Sequence, residues 1–216
     1  IKTAAIYGAF IPNPMHVYRT AGVLAGLGLS YGGATTEEDV VGLIFADQGI
    51  DLSKISGDIK IVSYLQGYGD TTTDEINAAI QAAPEAFISV GMATTFFTQQ
   101  LNAAGIEFSD IDSFTKSNGE AITNGKLVYL AGKYSSSVGP AFALVMNAIN
   151  GNVIRDAQGN AVSLSQNYQV ATDSETFDKF YKNDNGDNPI YSRDTLDQII
   201  GDTVTFDTIN EVVASN

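Results

Sequence analysis

Short apolar runs alternate along this chain with stretches whose apolar residues recur every three or four positions. Thr3 to Gly8 is the first run, and Asn13-Pro14 then supplies a cap and a residue suited to a first helical turn. A helix is predicted from Pro14 to about Gly28, with Val17, Ala21, Leu24, Ala25 and Gly28 at helical spacing. After a break at Ser30 to Gly33, Thr35-Thr36-Glu37-Glu38 reads as a second helix start leading into Val40, Val41, Leu43, Ile44 and Phe45. Ile59 to Leu65 is the next strand. Thr73 is expected to cap a helix from Asp74 to Ala83, which Pro84 stops. Ala86 to Val90 has the short apolar character of a parallel strand buried on both faces. A helix from Thr94 to Ala104, a strand within Ile106 to Phe114, a polar loop from Thr115 to Gly125 and a strand from Leu127 to Leu130 complete the pattern. This alternation predicts an α/β fold, a parallel sheet with helices on both faces, because parallel neighbours need crossover connections.

The last third changes character. Ser135 to Asn150 reads as a helix with Val138, Phe142, Val145, Met146 and Ile149 on one stripe, preceded by three serines, any of which could cap it. Asp156 to Asn160 is a turn between extended segments, predicted as a hairpin. Short helices are expected over Asp173 to Tyr181, Ser192 to Ile200 and Thr205 to Ala214. The domain division expected is 1–134 as an α/β ligand-binding domain, 135–150 as a returning helix, and 151–216 as a hairpin and helical extension. No internal repeat stands out.

Composition narrows the partners. With 25 acidic against 11 basic residues the net charge is −14, and the arginines at 19, 155 and 193 are scattered. A nucleic-acid partner or an anionic membrane surface is therefore not expected. Apolar residues make up 44% and charged residues 17%, which is a folding composition rather than a disordered one. The absence of cysteine excludes disulfides, thiolate zinc sites and a cysteine nucleophile, and tilts the expected location toward an extracytoplasmic one. No apolar run approaches the roughly 20 residues of a membrane span. The N-terminus, Ile1 to Tyr7, reads as a strand, so any signal segment is expected to have been removed or to lie upstream.

Three local motifs lead nowhere. Gly28-Leu29-Ser30-Tyr31-Gly32 matches a nucleophile elbow, but its serine follows a helix and the only histidine, His16, precedes it. Asn183 to Asn188 has the oxygen density of a calcium loop with the wrong spacing and reads as a solvated turn. Gly67-Tyr68-Gly69 lacks the third glycine of a dinucleotide fingerprint.

Position says more. Ligands of open parallel sheets bind beyond the carboxyl ends of the strands, and here those loops carry Asn13, His16, Arg19, Tyr68, Asp70, Met92, Thr94, Asp112, Phe114 and Tyr134. Such a mixture of forked donors, acceptors and flat rings suits a small polyhydroxylated molecule. Arg19 lies one turn into a helix that starts at this end, and its alternative role is a surface salt bridge.

The order of elements then resembles the second lobe of type 1 periplasmic binding proteins. The residues that carry the likeness are Ile1 to Gly8 followed by Arg19-Thr20-Ala21-Gly22, the stretch Asp74 to Gly105, Leu127 to Gly151 with Val138-Gly139-Pro140-Ala141, and the tail Pro189 to Asn216. Arg19 matches a family ligand contact by position, whereas the family's Asn-Asp pair and its G-F-D signature are replaced by Ser89 to Met92 and Ile111 to Phe114. The resemblance implies extracytoplasmic or lipid-anchored binding of a small polar solute (a sugar, polyol or nucleoside) for an ABC transporter permease, with no cofactor, no metal and no covalent chemistry. It also implies a first lobe outside these residues, without which Phe142, Val145 and Met146 need other cover: a dimer, a swap between chains, or a folded-back tail. The rival expectations are a ligand-sensing domain of a receptor or regulator, and an enzyme using Asp70 or Asp112 as a general base.

Overall fold

The first apolar run forms β1 (Thr3–Ala9), and the sequence that follows it is helical because its cap is in place: Asn13 Oδ1 accepts the Met15 amide at 3.0 Å and Pro14 opens α1 (Pro14–Gly26). The computed structural model describes the chain apart from residues 10–12, 68–70, 134, 186–188 and 216. It divides into two compact units, Ile1–Ala131 with Ala171–Ser174, and Gly132–Val170 with Glu175–Asn216.

In the first unit α1 is followed by β2 (Ser30–Tyr31), α2 (Glu37–Asp47), a 3-10 turn at Leu52–Lys54, and β3 (Ile55–Ser56). Thr36 caps α2 and three acids occupy its first turn, where the helix dipole favours them. β2 and β3 form a two-stranded antiparallel ladder. Tyr31 anchors it, donating to Asp47 at 2.6 Å and accepting from the Asp51 amide at 3.0 Å, and burial pushes its phenol up to about 12. Ser30, the serine of the elbow motif, bonds Ser56 at 2.8 Å within this small ladder.

β4 (Lys60–Gln66), α3 (Thr73–Gln81), β5 (Ala86–Ser89), α4 (Ala93–Phe96), α5 (Thr98–Ala104), β6 (Glu107–Ser113), α6 (Lys116–Thr123) and β7 (Leu127–Lys133) follow. With β8 (Gln169–Ala171) they build a six-stranded sheet in the order β4-β1-β5-β6-β7-β8. β1 pairs in parallel with β4 and β5, and β5 with β6. The mostly parallel sheet flanked by helices is the predicted fold class.

Helices cover the two faces with different cores. α1 and α2 pack Val17, Leu24, Val40 and Ile44 onto Ala4, Ile6 and Ile61. On the other face Phe97 stands edge-on to Tyr7 at 4.7 Å and to Phe87 at 5.8 Å between ring centres. Gly8 is required at the end of β1 because a Cβ there would overlap the hydroxyl end of Tyr64. Gly8→Val is expected to destabilise the unit by about 3 kcal/mol, since the Tyr64 ring must leave its place; a urea midpoint unchanged from the parent would contradict this.

Several expected boundaries shift. The cap of α3 is Thr72, not Thr73, because Glu75 closes a reciprocal capping box with Thr72. The helix expected over Thr94 to Ala104 breaks at Phe97 into α4 and α5. The loop expected over Thr115 to Gly125 is largely α6, nucleated by the Thr115 cap and held by buried Ala121 and Ile122.

The second unit contains a 3-10 turn at Ser135–Val138, α7 (Gly139–Ile149), most of α8 (Ser174–Asn185), α9 (Arg193–Asp197) and α10 (Phe206–Ala214). Val138, not a serine, occupies the N-cap of α7, since the 3-10 turn takes the serines. The expected hairpin is reduced to a turn closed by one antiparallel bridge, Arg155 to Ala161, the Asp156 carboxylate accepting the Gln158 and Asn160 amides. Asn183 to Asn185 end α8, which runs past its predicted end at Tyr181 with Phe177 and Tyr181 stacked at 5.4 Å, while residues 186–188 of the expected turn lie outside the described residues. Ala143, Ile199, Ile209 and Val213 form the core. Asn147, fully buried, ties α7 to the segment after α9 by bonds to the Ile199 carbonyl and the Gly201 amide, both 2.8 Å.

Candidate functional site

From β1 the chain crosses to β4 on one side, then returns past β1 to β5 on the other. The carboxyl ends of β1 and β5 therefore flank the point where strand order reverses, where open sheets leave a crevice. Arg19, on the helix that leaves β1, reaches into this place. Its Nη1 donates to the Val90 carbonyl at 3.0 Å, directly after β5, and to Asp112 Oδ2 at 3.0 Å, while Nη2 donates to Asp112 Oδ1 at 2.5 Å. The guanidinium thus grips the carboxylate with both arms and one strand-end carbonyl besides.

The pair is covered on the protein side and open on the other. The Arg19 side chain is 11% exposed and that of Asp112 is 30% exposed. A carboxylate has about four lone-pair directions, and Arg19 takes one on each oxygen. Asp112 thereby presents acceptor capacity toward the crevice with its charge already balanced, which suits hydroxyl or amine donors of a ligand. Its backbone is unusual, with φ at +98°, outside the conformations that a residue with a side chain ordinarily adopts.

The segment after β5 is pinned as well. Ser89 Oγ donates to the Gly91 carbonyl at 2.5 Å and accepts the Gly91 amide at 3.2 Å, folding Gly91 back over the strand end. Met92 follows directly and takes the N-cap position of α4, without a side-chain cap bond.

Below the crevice lies a carboxyl that sequence reasoning missed. Asp110 is 3% exposed, and its Oδ2 accepts the Thr94 amide at 3.2 Å and Asn118 Nδ2 at 2.9 Å. Desolvation raises its pKa, opposed by those hydrogen bonds. Relative to the unfolded chain the native state then favours the protonated group, so this contribution to stability is complete below about pH 4 and is lost as pH rises through the native value. Asp110→Asn cannot ionise. Its stability relative to the parent is expected to rise between pH 4 and pH 7 in urea melts, and a difference independent of pH would show that Asp110 keeps an ordinary titration.

The sequence-predicted candidates other than Met92 fall into four groups. Arg19 and Asp112 are brought together in a salt bridge, the kind of partner that the alternative reading of Arg19 expected, although the pair is part-buried and not at the surface. Asn13, His16 and Thr94 have structural work at the same end: Asn13 caps α1, His16 is buried in its first turn, and Thr94 bonds Asp110 and Asn118. Phe114 is half-buried after β6. Tyr68, Asp70 and Tyr134 lie outside the described residues. A signal for Asp110 was present, since it keeps step with Phe108 in a strand whose alternate positions are buried.

Among the described residues no group of three His, Asp or Glu side chains is placed to hold a metal ion, and no helix is long and apolar enough to cross a membrane. A groove of about 640 Å³ lies at the opposite, amino end of β4, walled by Leu52, Ile55, Ile59, Lys60, Val62 and Ala82. Among the described residues its walls hold no ion pair, whereas the carboxyl end of the sheet holds the part-exposed Arg19–Asp112 pair, so that end is the better candidate. Compared with known proteins, the chain matches no family model and no curated relative.

Proposed function

We propose that this chain supplies one lobe of a binding protein of the type 1 periplasmic kind, which holds a small polar solute such as a sugar, polyol or nucleoside outside the cytoplasm and delivers it to an ABC transporter permease. Binding proceeds without covalent chemistry, by closure of the Arg19–Asp112 crevice against a second surface and exchange of water for hydrogen bonds. The observation that carries this is the bidentate Arg19–Asp112 pair at the reversal point of the sheet, with Asp112 part-exposed.

A second feature supports it. Val138, Phe142, Val145 and Ile149 are 66%, 50%, 57% and 71% exposed, and their spacing of four, three and four residues places them along one side of α7 and the turn that leads into it. No charged residue occurs between Lys133 and Arg155. Such a stripe is a surface for another protein layer, and a two-lobed protein requires one. Met146, grouped with this stripe in the sequence, is instead half-buried.

A thermal-shift panel of sugars, polyols and nucleosides tests the proposal. One chemical class should raise the melting temperature of the parent chain and leave that of Arg19→Met unmoved. Equal shifts in both proteins would place binding elsewhere, and no shift with any compound would remove the support for solute binding.

A further inference from the structure

Two carboxylates two residues apart in β6 serve opposite faces of the sheet. Phe108 registers with Phe87, and Phe87 packs against Phe97, between α4 and α5. Strand alternation therefore assigns Phe108, Asp110 and Asp112 to that same face. Asp110 obeys it and bonds Thr94 of α4. Asp112 does not, for its carboxylate meets Arg19 of α1, the helix that covers Ile6 and Ile88 on the other face. The φ of +98° at Asp112 is the point of departure. Such a conformation persists only where its surroundings hold it.

What adjoins it is the Asp110 cluster. Asn118 is 2% exposed and shares its amide hydrogens between Asp110 Oδ2 at 2.9 Å and Thr94 Oγ1 at 3.2 Å, while Thr115, the cap of α6, bonds its Oδ1. One carboxyl on β6, the strand that carries Asp112, thus fastens the segment after β5, which carries Val90 and Met92, to α6, which follows β6. Oδ1 of Asp110 has no partner among the described residues. Both of the Asp110 bonds therefore converge on Oδ2.

We propose that Asp110 is a positioning residue for the crevice: by fastening Thr94 and Asn118 it holds the turned end of β6 that presents Asp112 to Arg19. Its effect on solute affinity rests on the function proposed above, whereas its effect on the Arg19–Asp112 pair does not. Asp110 touches no ligand in this scheme and acts through the pair.

The test reads the pair without any solute. Nitrogen-15 NMR of the Arg19 guanidinium and hydrogen exchange at the Thr94 and Asn118 amides are compared in the parent, Asp110→Asn and Asp110→Ala. Asp110→Asn retains an acceptor oxygen and should keep the parent's Arg19 signals. Asp110→Ala should move those signals to the position of a solvated arginine and speed exchange at both amides by about tenfold or more. A lowered melting temperature with unmoved Arg19 signals would overturn the proposal, leaving Asp110 a merely structural residue. Should Asp110→Ala fail to fold, Asn118→Ala cuts the same link from the other side and is judged by the same signals. An intact Asp110 effect combined with a silent solute panel would count against the proposed function alone.

Discussion

Arg19→Met should weaken solute binding about a hundredfold, since it removes three charge-assisted hydrogen bonds that are each worth about 1.5–3 kcal/mol and that order the crevice. Methionine keeps the length and much of the apolar packing of the arginine stem, so the loss falls on the guanidinium. Two groups lose their partner together. The Val90 carbonyl no longer has its Nη1 donor, and the Asp112 carboxylate keeps its place beside a strand end with no opposing charge. Removing one member of a fully buried pair costs about 3–5 kcal/mol, and the 30% exposure of Asp112 reduces this to about 2 kcal/mol of stability. Arg19→Lys separates geometry from charge. A lysine carries the charge but cannot grip both oxygens and the carbonyl in one plane, so it should restore stability more than affinity. Affinity restored fully by lysine would mean that charge alone matters at this position.

Asn147→Leu should cost the second unit about 4 kcal/mol. The substitution keeps volume and apolar contact while deleting both ends of a fully buried amide. The Ile199 carbonyl and the Gly201 amide lose their partners, and each unsatisfied buried group costs about 1–3 kcal/mol. The neighbouring amide of Asn152 does not replace it, because its Nδ2 already donates to the Gly201 and Val204 carbonyls at 2.8 and 2.9 Å. Asn147→Ala leaves room for a water and should cost less. The check is urea unfolding followed by circular dichroism for all three proteins. A loss below about 1 kcal/mol for the leucine variant would show that the clamp on residues 199–201 is dispensable.

The fold was legible where the chain repeats with a clear period. β1, α1, β5 and α10 stand close to where apolar spacing and capping residues put them. α6 was missed because Lys116, Ser117, Asn118 and Gly119 give no apolar stripe. Its start is set by Thr115, and its place by Ala121 and Ile122 alone. The cap of α3 was misplaced by one residue in the run Thr71-Thr72-Thr73, although the spacing to Glu75 distinguishes Thr72. Both members of the central pair were named from the sequence as strand-end residues. Their union was not, because it joins residues 93 apart through a backbone turn at Asp112 that no side-chain pattern announces. Asp110 could have been flagged as an acid in step with a buried phenylalanine, whereas its partners Thr94 and Asn118 could be recognised only from the packing of α4 and α6.

The most direct measurement is a nitrogen-15 correlation spectrum of the chain titrated with a sugar, a polyol and a nucleoside at millimolar concentrations, which detects even the weak binding of a single lobe. The account predicts saturable shifts for one class, clustered at the Arg19 side chain and at the amides of Gly91, Met92 and Asp112. Shifts centred on the groove at the amino end of β4, or none at any of these residues for every class, would contradict it.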